Sequence, residues 1–545
     1  MEEKKIVRRD KKDITDNKAK QKKILFGISI FIFVIAYVFL LTMDTDKKMV
    51  EELTESDTVV PTTQVVKSEK NLAPTDGGTI NLSVSRFGSV NPLKNKEKSL
   101  DDVFRLVYDS LFEFDSDYNL QNEIATGYSF NADTTQLKVQ LNSDVKWHDG
   151  TRLTGSDVEY TINFIKKNPE SPYSYLVTNI ESVTGYSNSV EIKLKTSNSL
   201  EANNLIFPII SQKSEKNIKA VFNDEDFGVV GNGMYKIVDY KKGKQFVLKK
   251  NENYSGKKPY IENICVKIFD NKEIRQNMFI ASNVDIVDSD YYELSKYQYD
   301  IFKTQAYESR KFEAVAFNTS KPPFDQKANR IEIASILERE KMAEDAYRGI
   351  LNLNLMPINT KSELNLATEN IHSVPKDKMK EAANNKFKEK LVIVTDKDDP
   401  MKHRLAYMIK NQIETLGISP EVEVRAVSKA KLKDIILAKN YNILIMEYKI
   451  PVDKDVTKIM NKYSTIFGYN AKELNLKMKN IKANSSKIKM MQDYKKLQEE
   501  IIQAVPFIGI GYKNDYIVVN KKIEGKLKPT EFEIYNGIEN IYIPN

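Results

Sequence analysis

Cysteine and histidine are nearly absent from this chain: one cysteine and three histidines in 545 residues. The lone Cys265 excludes an internal disulfide and any cysteine-based metal site. It sits in the alternating run "YIENICVKIF", which reads as a strand with Cys265 buried in it. His148, His372 and His403 are isolated from one another, too few and too scattered for a histidine-rich metal centre. An excess of one charge is also missing. Lys and Arg number 83 against 76 Asp and Glu, a formal +7, weaker than a dedicated nucleic-acid surface requires. No "GxxxxGK[ST]", "HExxH" or "GxSxG" occurs, so the commonest signatures of nucleotide, metalloprotease and serine-hydrolase chemistry are excluded. Catalysis, metal and cofactor are accordingly not expected.

Apolar material is plentiful. Hydrophobic residues make up 41% and aromatics 10%, and a chain of this length divides into two or three lobes rather than one core. Residues 24–43, "ILFGISIFIFVIAYVFLLTM", carry no charge and suffice to cross a bilayer core of about 30 Å as a helix. Ten Lys or Arg against five Asp or Glu precede them in residues 1–23, so that end stays in the cytoplasm and the rest lies outside. A cleavable signal peptide is the competing reading; against it, the run is long and no small-x-small site follows. The expectation is an uncleaved single-pass anchor in the cell membrane, followed by a polar, Thr-rich linker over 44–76.

Periodic segments begin near Gly77. "GGTINLSVS" places Ile80, Leu82 and Val84 on one face of a strand. "SLDDVFRLVYDSLFEFD" reads as a helix capped by Ser99, with Val103, Leu106, Val107, Ser110 and Leu111 along one side. "TTQLKVQLNSDVKWHDG" returns to alternation and ends in a turn at Asp149 and Gly150. Thr154 or Ser156 then caps a helix carrying Val158, Ile162 and Ile165. Far downstream, "EKLVIVT", a helix opened by Asp399 and Pro400 and closed at Gly417, "EVEVRAV", "KAKLKDIILAKN" and "YNILIMEY" give a βαβαβ order. That order argues for an α/β lobe.

The succession "GGTINLSVS", "NPL", "VYDSLFEFDSDYNLQNEIATGYSF", "LNSDVKWHDGTRLTGSDVEYTI", "GNGMYKIVDY" and "NENYSGKKPYIENICVKIF", continued by "VAFNTSKPPFDQKANRIEIASILERE" and "AVPFIGIGYKNDYIVVNKKIEG", resembles the family 5 extracellular solute-binding proteins. These are the oligopeptide, dipeptide and nickel receptors of ABC importers, and "WHDG" is the most specific part of the match. The resemblance implies an α/β, two-lobed periplasmic-binding-protein-like fold with a ligand cleft between the lobes, here preceded by one transmembrane helix. It implies an N-terminal lobe of 77–310 plus 516–545 with an inserted subdomain at about 112–200, and a C-terminal lobe of 311–515. Chain crossings are expected near 307–318 and 508–516. It also makes Trp147 a packing residue of a scaffold turn.

Ligands of α/β sheets are met at the carboxyl ends of strands and in interdomain clefts. Those positions nominate Phe87, Asn232, Glu447, Tyr448 and Tyr512 as ligand-binding residues. In peptide-binding relatives the resemblance places an aromatic and an Asp-Tyr-Pro-Asp-Pro-like run after the last of these strands, its first acid holding the peptide amino terminus. Here the segment reads "MEYKIPVDKD", so the acid is missing in register, and Glu447 or Asp453 is left to replace it. The expected function is a membrane-tethered, monomeric receptor that captures an oligopeptide or similar small solute and delivers it to an ABC permease complex, with ATP hydrolysis left to another subunit. The alternative is a surface sensor or partner-binding scaffold on the same fold.

Overall fold

The computed structural model describes residues 73–214, 229–241, 243–366, 387–462 and 471–544. The expected basic segment 1–23, the anchor 24–43, most of the linker 44–76 and His372 lie outside the described residues. Among the described residues no helix is long and apolar enough to cross a membrane. The last linker residues are docked: Thr75 Oγ1 donates to the Ile543 carbonyl at 2.7 Å.

One lobe is built on a four-stranded sheet ordered Thr79–Ser85, Asn263–Phe269, Gln245–Lys250, Tyr235–Lys241. Its first pair is parallel and the others antiparallel. Ile80, Leu82 and Val84 are fully buried on one face, each worth about 1.5–3 kcal/mol of burial. Cys265 lies on the neighbouring strand as expected, but half-buried: Ile264 and Val266 take the core face, and strand alternation turns Cys265 away from it. An antiparallel four-stranded sheet of Ala125–Phe130, Gln136–Leu141, Ser189–Leu194 and Ile180–Gly185 packs against the helix Gly155–Lys167. That helix starts on Thr154, whose N–H donates to the Asp157 carboxylate at 3.0 Å.

The helix expected from Ser99 through Leu111 is shorter, Lys98–Phe104, and its cap is Glu97. Tertiary contacts stop it. The carbonyls of Leu106 and Val107 are taken by the N–H groups of Tyr235, Asn232 and Gly233, so they cannot close helical turns. Ser99 Oγ instead accepts the Ser85 N–H at 2.9 Å, tying helix to strand.

A second sheet, shared by both lobes, is ordered Ile286–Ser289, Phe507–Asn520, Phe302–Phe317, Ile443–Lys449, Leu391–Asp396, Val422–Val427, with Leu351–Leu353 also paired to Phe507–Asn520. Leu391–Asp396 runs parallel to both Val422–Val427 and Ile443–Lys449, as the βαβαβ order demands. Asp399 caps the intervening helix Pro400–Thr415. Apolar clusters fill both faces of this sheet, one around Phe312, Tyr448 and Tyr512, the other around Val315, Ile445 and Ile510. Phe302–Phe317 and Phe507–Asn520 are the two crossing strands. Ile517 and Val518 belong to apolar clusters on the side of the first lobe, whereas Phe507 and Tyr512 belong to the core of the second. Their pairing is interrupted between Glu308 and Phe312.

Candidate functional site

The single tryptophan and its neighbours turn out to hold the lobe rather than a ligand. Trp147 is buried in the first core, and Gly150, at φ +84°, closes the turn beside it. His148 clasps the 231–233 loop: its N–H donates to the Gly231 carbonyl at 2.8 Å, its Nδ1 accepts from Gly231 N–H at 3.2 Å, and its Nε2 meets the Gly233 carbonyl at 3.0 Å. These contacts fix the Nε2–H tautomer, and desolvation lowers the imidazole pKa to about 4. A Cβ at Gly231 would stand 2.0 Å from the Val107 carbonyl oxygen, so only glycine allows this approach.

The five nominated residues are not gathered in one place. Phe87 is half-buried against the first core, just past the strand Thr79–Ser85. Asn232 is buried elsewhere in the same lobe, its Oδ1 accepting the Asp109 N–H at 3.1 Å. Tyr448 and Tyr512 both lie in the second lobe's core around Phe312, the Tyr512 ring 5.3 Å from that of Phe312. Glu447 points to the opposite face, where Lys513 (2.9 Å) and Lys402 (3.6 Å) bind it together with the buried Glu313. Desolvation pushes the Glu447 pKa up, but Lys402 and Lys513 outweigh it and hold it at about 2. Asp453 is committed too, to Lys458 and Lys482.

A different set of side chains shares charged neighbours. Lys98 is 53% exposed along its side chain, yet desolvation is the largest influence on it; attraction to Asp102 and Asp101 outweighs that and raises its pKa. Tyr175 is 57% exposed and desolvated as well, with Arg310, Arg105, Glu531 and Asp101 the charges acting on it. Tyr175 also lines an open recess with Pro451 and Asp453.

Charges from two poles act on Tyr175. On the first lobe, Asp101 and Asp102 stand against Lys98, with the Tyr173 hydroxyl donating to Asp101. Burial raises the Asp102 pKa to about 6 despite Lys98. Arg105, beneath them, is committed to Glu533, Ser110 and the Ile206 carbonyl. On the crossing strand and the strand Ile443–Lys449, Arg310 and Lys449 share one carboxylate, Glu531. Desolvation of Glu531 is overcome by Arg310 and Lys449, and its pKa falls to about 2. Burial raises the Tyr307 pKa, with Asp515 and Asp102 adding to it, and Asp515 is bound by Lys311 at 2.9 Å. Counting formal charges, one pole keeps a negative excess and the other a positive one.

The described residues also line partly open pockets. One of about 680 Å³ is lined by Tyr118, Tyr307, Glu308, Asn352 and Lys361 among others, within the roughly 300–1,000 Å³ of ligand sites. Its carboxylate, Glu308, is already saturated by Asn352, Asn359 and both donors of Thr360. A second, of about 380 Å³, has Tyr128, Phe130, Leu200, Met490 and Lys454 in its walls. A third, of about 220 Å³, joins Tyr175 to Pro451 and Asp453. Among the described residues no cluster of His, Cys, Asp or Glu is arranged to hold a metal.

Sequence reasoning singled out the segments after Ser85 and after Tyr448, but not Lys98, Tyr175, Arg310 or Glu531. These four come from distant stretches, and no local spacing links them. Lys449 was visible only as a departure from the acidic pattern.

Comparison with known proteins gives the same architecture. The model for the middle part of the bacterial extracellular solute-binding proteins, family 5, matches residues 119–466. The oligopeptide-binding protein AppA of Bacillus subtilis is 20% identical over 509 residues, 85% of this chain and 91% of that protein. The ABC transporter substrate-binding protein CtaP from Listeria monocytogenes superposes with a TM-score of 0.70 at 19% identity, covering 86% of this chain and all of that one. The murein tripeptide-binding protein MppA, in its unliganded open form, gives 0.73 at 14% identity over 87% and 98%.

Proposed function

The chain belongs to the bacterial extracellular solute-binding proteins of family 5, binding proteins rather than enzymes, and from that premise we propose that it captures an oligopeptide or a similar zwitterionic solute between its lobes. The observation that carries this reading is the two-poled recess: Asp101 and Asp102 over Lys98 on one side, Arg310 and Lys449 over Glu531 on the other. A free peptide presents an ammonium and a carboxylate, and such poles would orient it. Contacts made by both lobes favour the arrangement in which both are engaged, so ligand shifts the lobes toward closure. An ABC permease complex would then receive the solute.

Direct ligand contact is proposed for Phe87 and for the backbone around Tyr448, with Asn232, Glu447 and Tyr512 shaping the lobes behind them. The lobe division 77–310 plus 516–545, with an insert at about 112–200, against 311–515 is part of the same proposal. So is a monomer tethered by residues 24–43, N-terminus inside and folded part outside; its support is the uncharged run and the basic flank. Protease added outside intact cells should then remove the folded part, and protection of that part would reverse the orientation. For binding, a mixture of short peptides should raise Tm by mass action; no shift at any peptide concentration would favour a scaffold or sensor instead.

A further inference from the structure

Glu531 is held as a ligand would be. Its Oε2 accepts the Arg310 backbone N–H at 2.8 Å, its Oε1 lies 3.5 Å from Arg310 Nη2, and Lys449 Nζ closes on the same oxygen. The residue is fixed from behind: its N–H donates to the Tyr118 hydroxyl at 3.3 Å, and the Thr530 and Glu533 backbones clamp the turn around it. Meanwhile its two cationic partners are incompletely used. The Lys449 side chain is 60% exposed although its ammonium contacts Glu531. Arg310 lies flat over Phe532, 4.4 Å from the ring centroid, and its buried Nε has no hydrogen-bond partner. Its Nη1 is spent on the Ile450 carbonyl at 3.1 Å. Two cations therefore share one carboxylate, and the side chain of Lys449 keeps an exposed surface for another.

We infer that Arg310 and Lys449 form the carboxylate-recognising end of the cleft and that Glu531 is a built-in carboxylate occupying part of it, so that the preferred solute carries a free carboxylate and competes with Glu531. The inference rests on the binding function proposed above and specifies the chemistry at one end of it. An entering carboxylate engages the open side of Lys449 and meets a positive excess. Removal of the Glu531 charge enlarges that excess.

Titration calorimetry on the full-length chain in detergent tests this with two probes, trialanine and trialanine amide, against the wild type, Glu531→Gln and Lys449→Met. Glutamine keeps an acceptor for the Arg310 N–H, and Lys449 is exposed, so both variants should fold. The wild type should prefer the acid. Glu531→Gln should tighten the acid about tenfold, the scale of one charge-assisted hydrogen bond, and leave the amide unchanged. Lys449→Met should erase the preference. If all three proteins bind acid and amide in the same ratio, the inference is overturned while peptide binding stands. If neither probe nor any mixed peptide binds any of them, the inference falls together with the binding function.

Discussion

Replacing Lys454 by methionine should stabilise the protein at neutral pH and destabilise it at high pH. Lys454 is 7% exposed and sits at φ +55° after Asp453. Its ammonium donates to the Tyr118 carbonyl and to Ser362 Oγ, the latter at 3.1 Å, and lies 5.2 Å over the Phe114 ring. No carboxylate touches it among the described residues. Desolvation lowers its pKa from 10.5 to about 8, against weak attraction from Glu363 and Asp115. At about 1.4 kcal/mol per pH unit, that drop is a penalty of about 3 kcal/mol at pH 7. Because the folded pKa lies below the unfolded one, the folded chain binds fewer protons between about 8 and 10.5, and wild-type stability rises with pH across that window. Methionine removes the penalty and fills similar volume, but forfeits two hydrogen bonds worth about 1 kcal/mol each. The variant should therefore be more stable by about 1 kcal/mol at pH 7 and less stable by about 2 kcal/mol above pH 10.5. Urea unfolding of both proteins at several pH values measures this difference, in which all other titrations cancel. A difference that does not change sign between pH 7 and pH 11 would refute the account of Lys454 as a charged, unpaired, buried amine.

Three further outcomes follow from particular contacts. Gly231→Ala drives a methyl into the Val107 carbonyl and His148 Cε1 and should cost about 3 kcal/mol in urea unfolding; a neutral result would show that this loop yields. The folded pKa of His148, about 4, lies below its ordinary 6.5, so its contribution is complete above pH 6.5 and is lost on acidification toward pH 4. Allowing for partial exposure, the loss is about 2 kcal/mol, and His148→Gln should flatten that part of the stability profile. Asp109, Glu113, Glu123 and Glu533 crowd one buried site in the first lobe, where burial raises all four pKa values, repulsion by neighbouring carboxylates follows it for Glu113 and Glu123, and Arg105 opposes it for Glu533. Raised carboxyls stabilise below their unfolded pKa and lose that contribution as pH climbs through the folded values. Glu113→Gln, which mimics the protonated form, should match the wild type near pH 4 and exceed it by about 1–2 kcal/mol near pH 8; equal pH profiles would deny the crowding.

Local patterns were readable wherever one face alone decides the structure. The alternation of Ile80, Leu82 and Val84 and the stripe of Leu405, Ile409 and Ile413 both end fully buried, because strand and helix periods map directly onto a core face. Helix length after Ser99 was not readable. The residues are helix-compatible, but the carbonyls of Leu106 and Val107 are claimed by a loop more than a hundred positions later, a competition that no window contains. Nor was the recess legible residue by residue. Glu447 looked available as an acid until Lys402 and Lys513 were seen beside it. Lys449 looked like the loss of an anchor, and its pairing with Glu531 makes it part of an opposite pole. Tyrosines at strand ends invite a surface reading, yet Tyr512 is fully buried because it faces Phe312 across the crossing strands.

Native mass spectrometry of the compact unit Leu72–Asn545, purified gently and compared before and after denaturation, tests most directly whether a solute is captured between the lobes. The account predicts added masses in a peptide ladder that disappear on denaturation, or that form when the bare protein is mixed with short peptides. A single bare mass that no peptide mixture changes would contradict it.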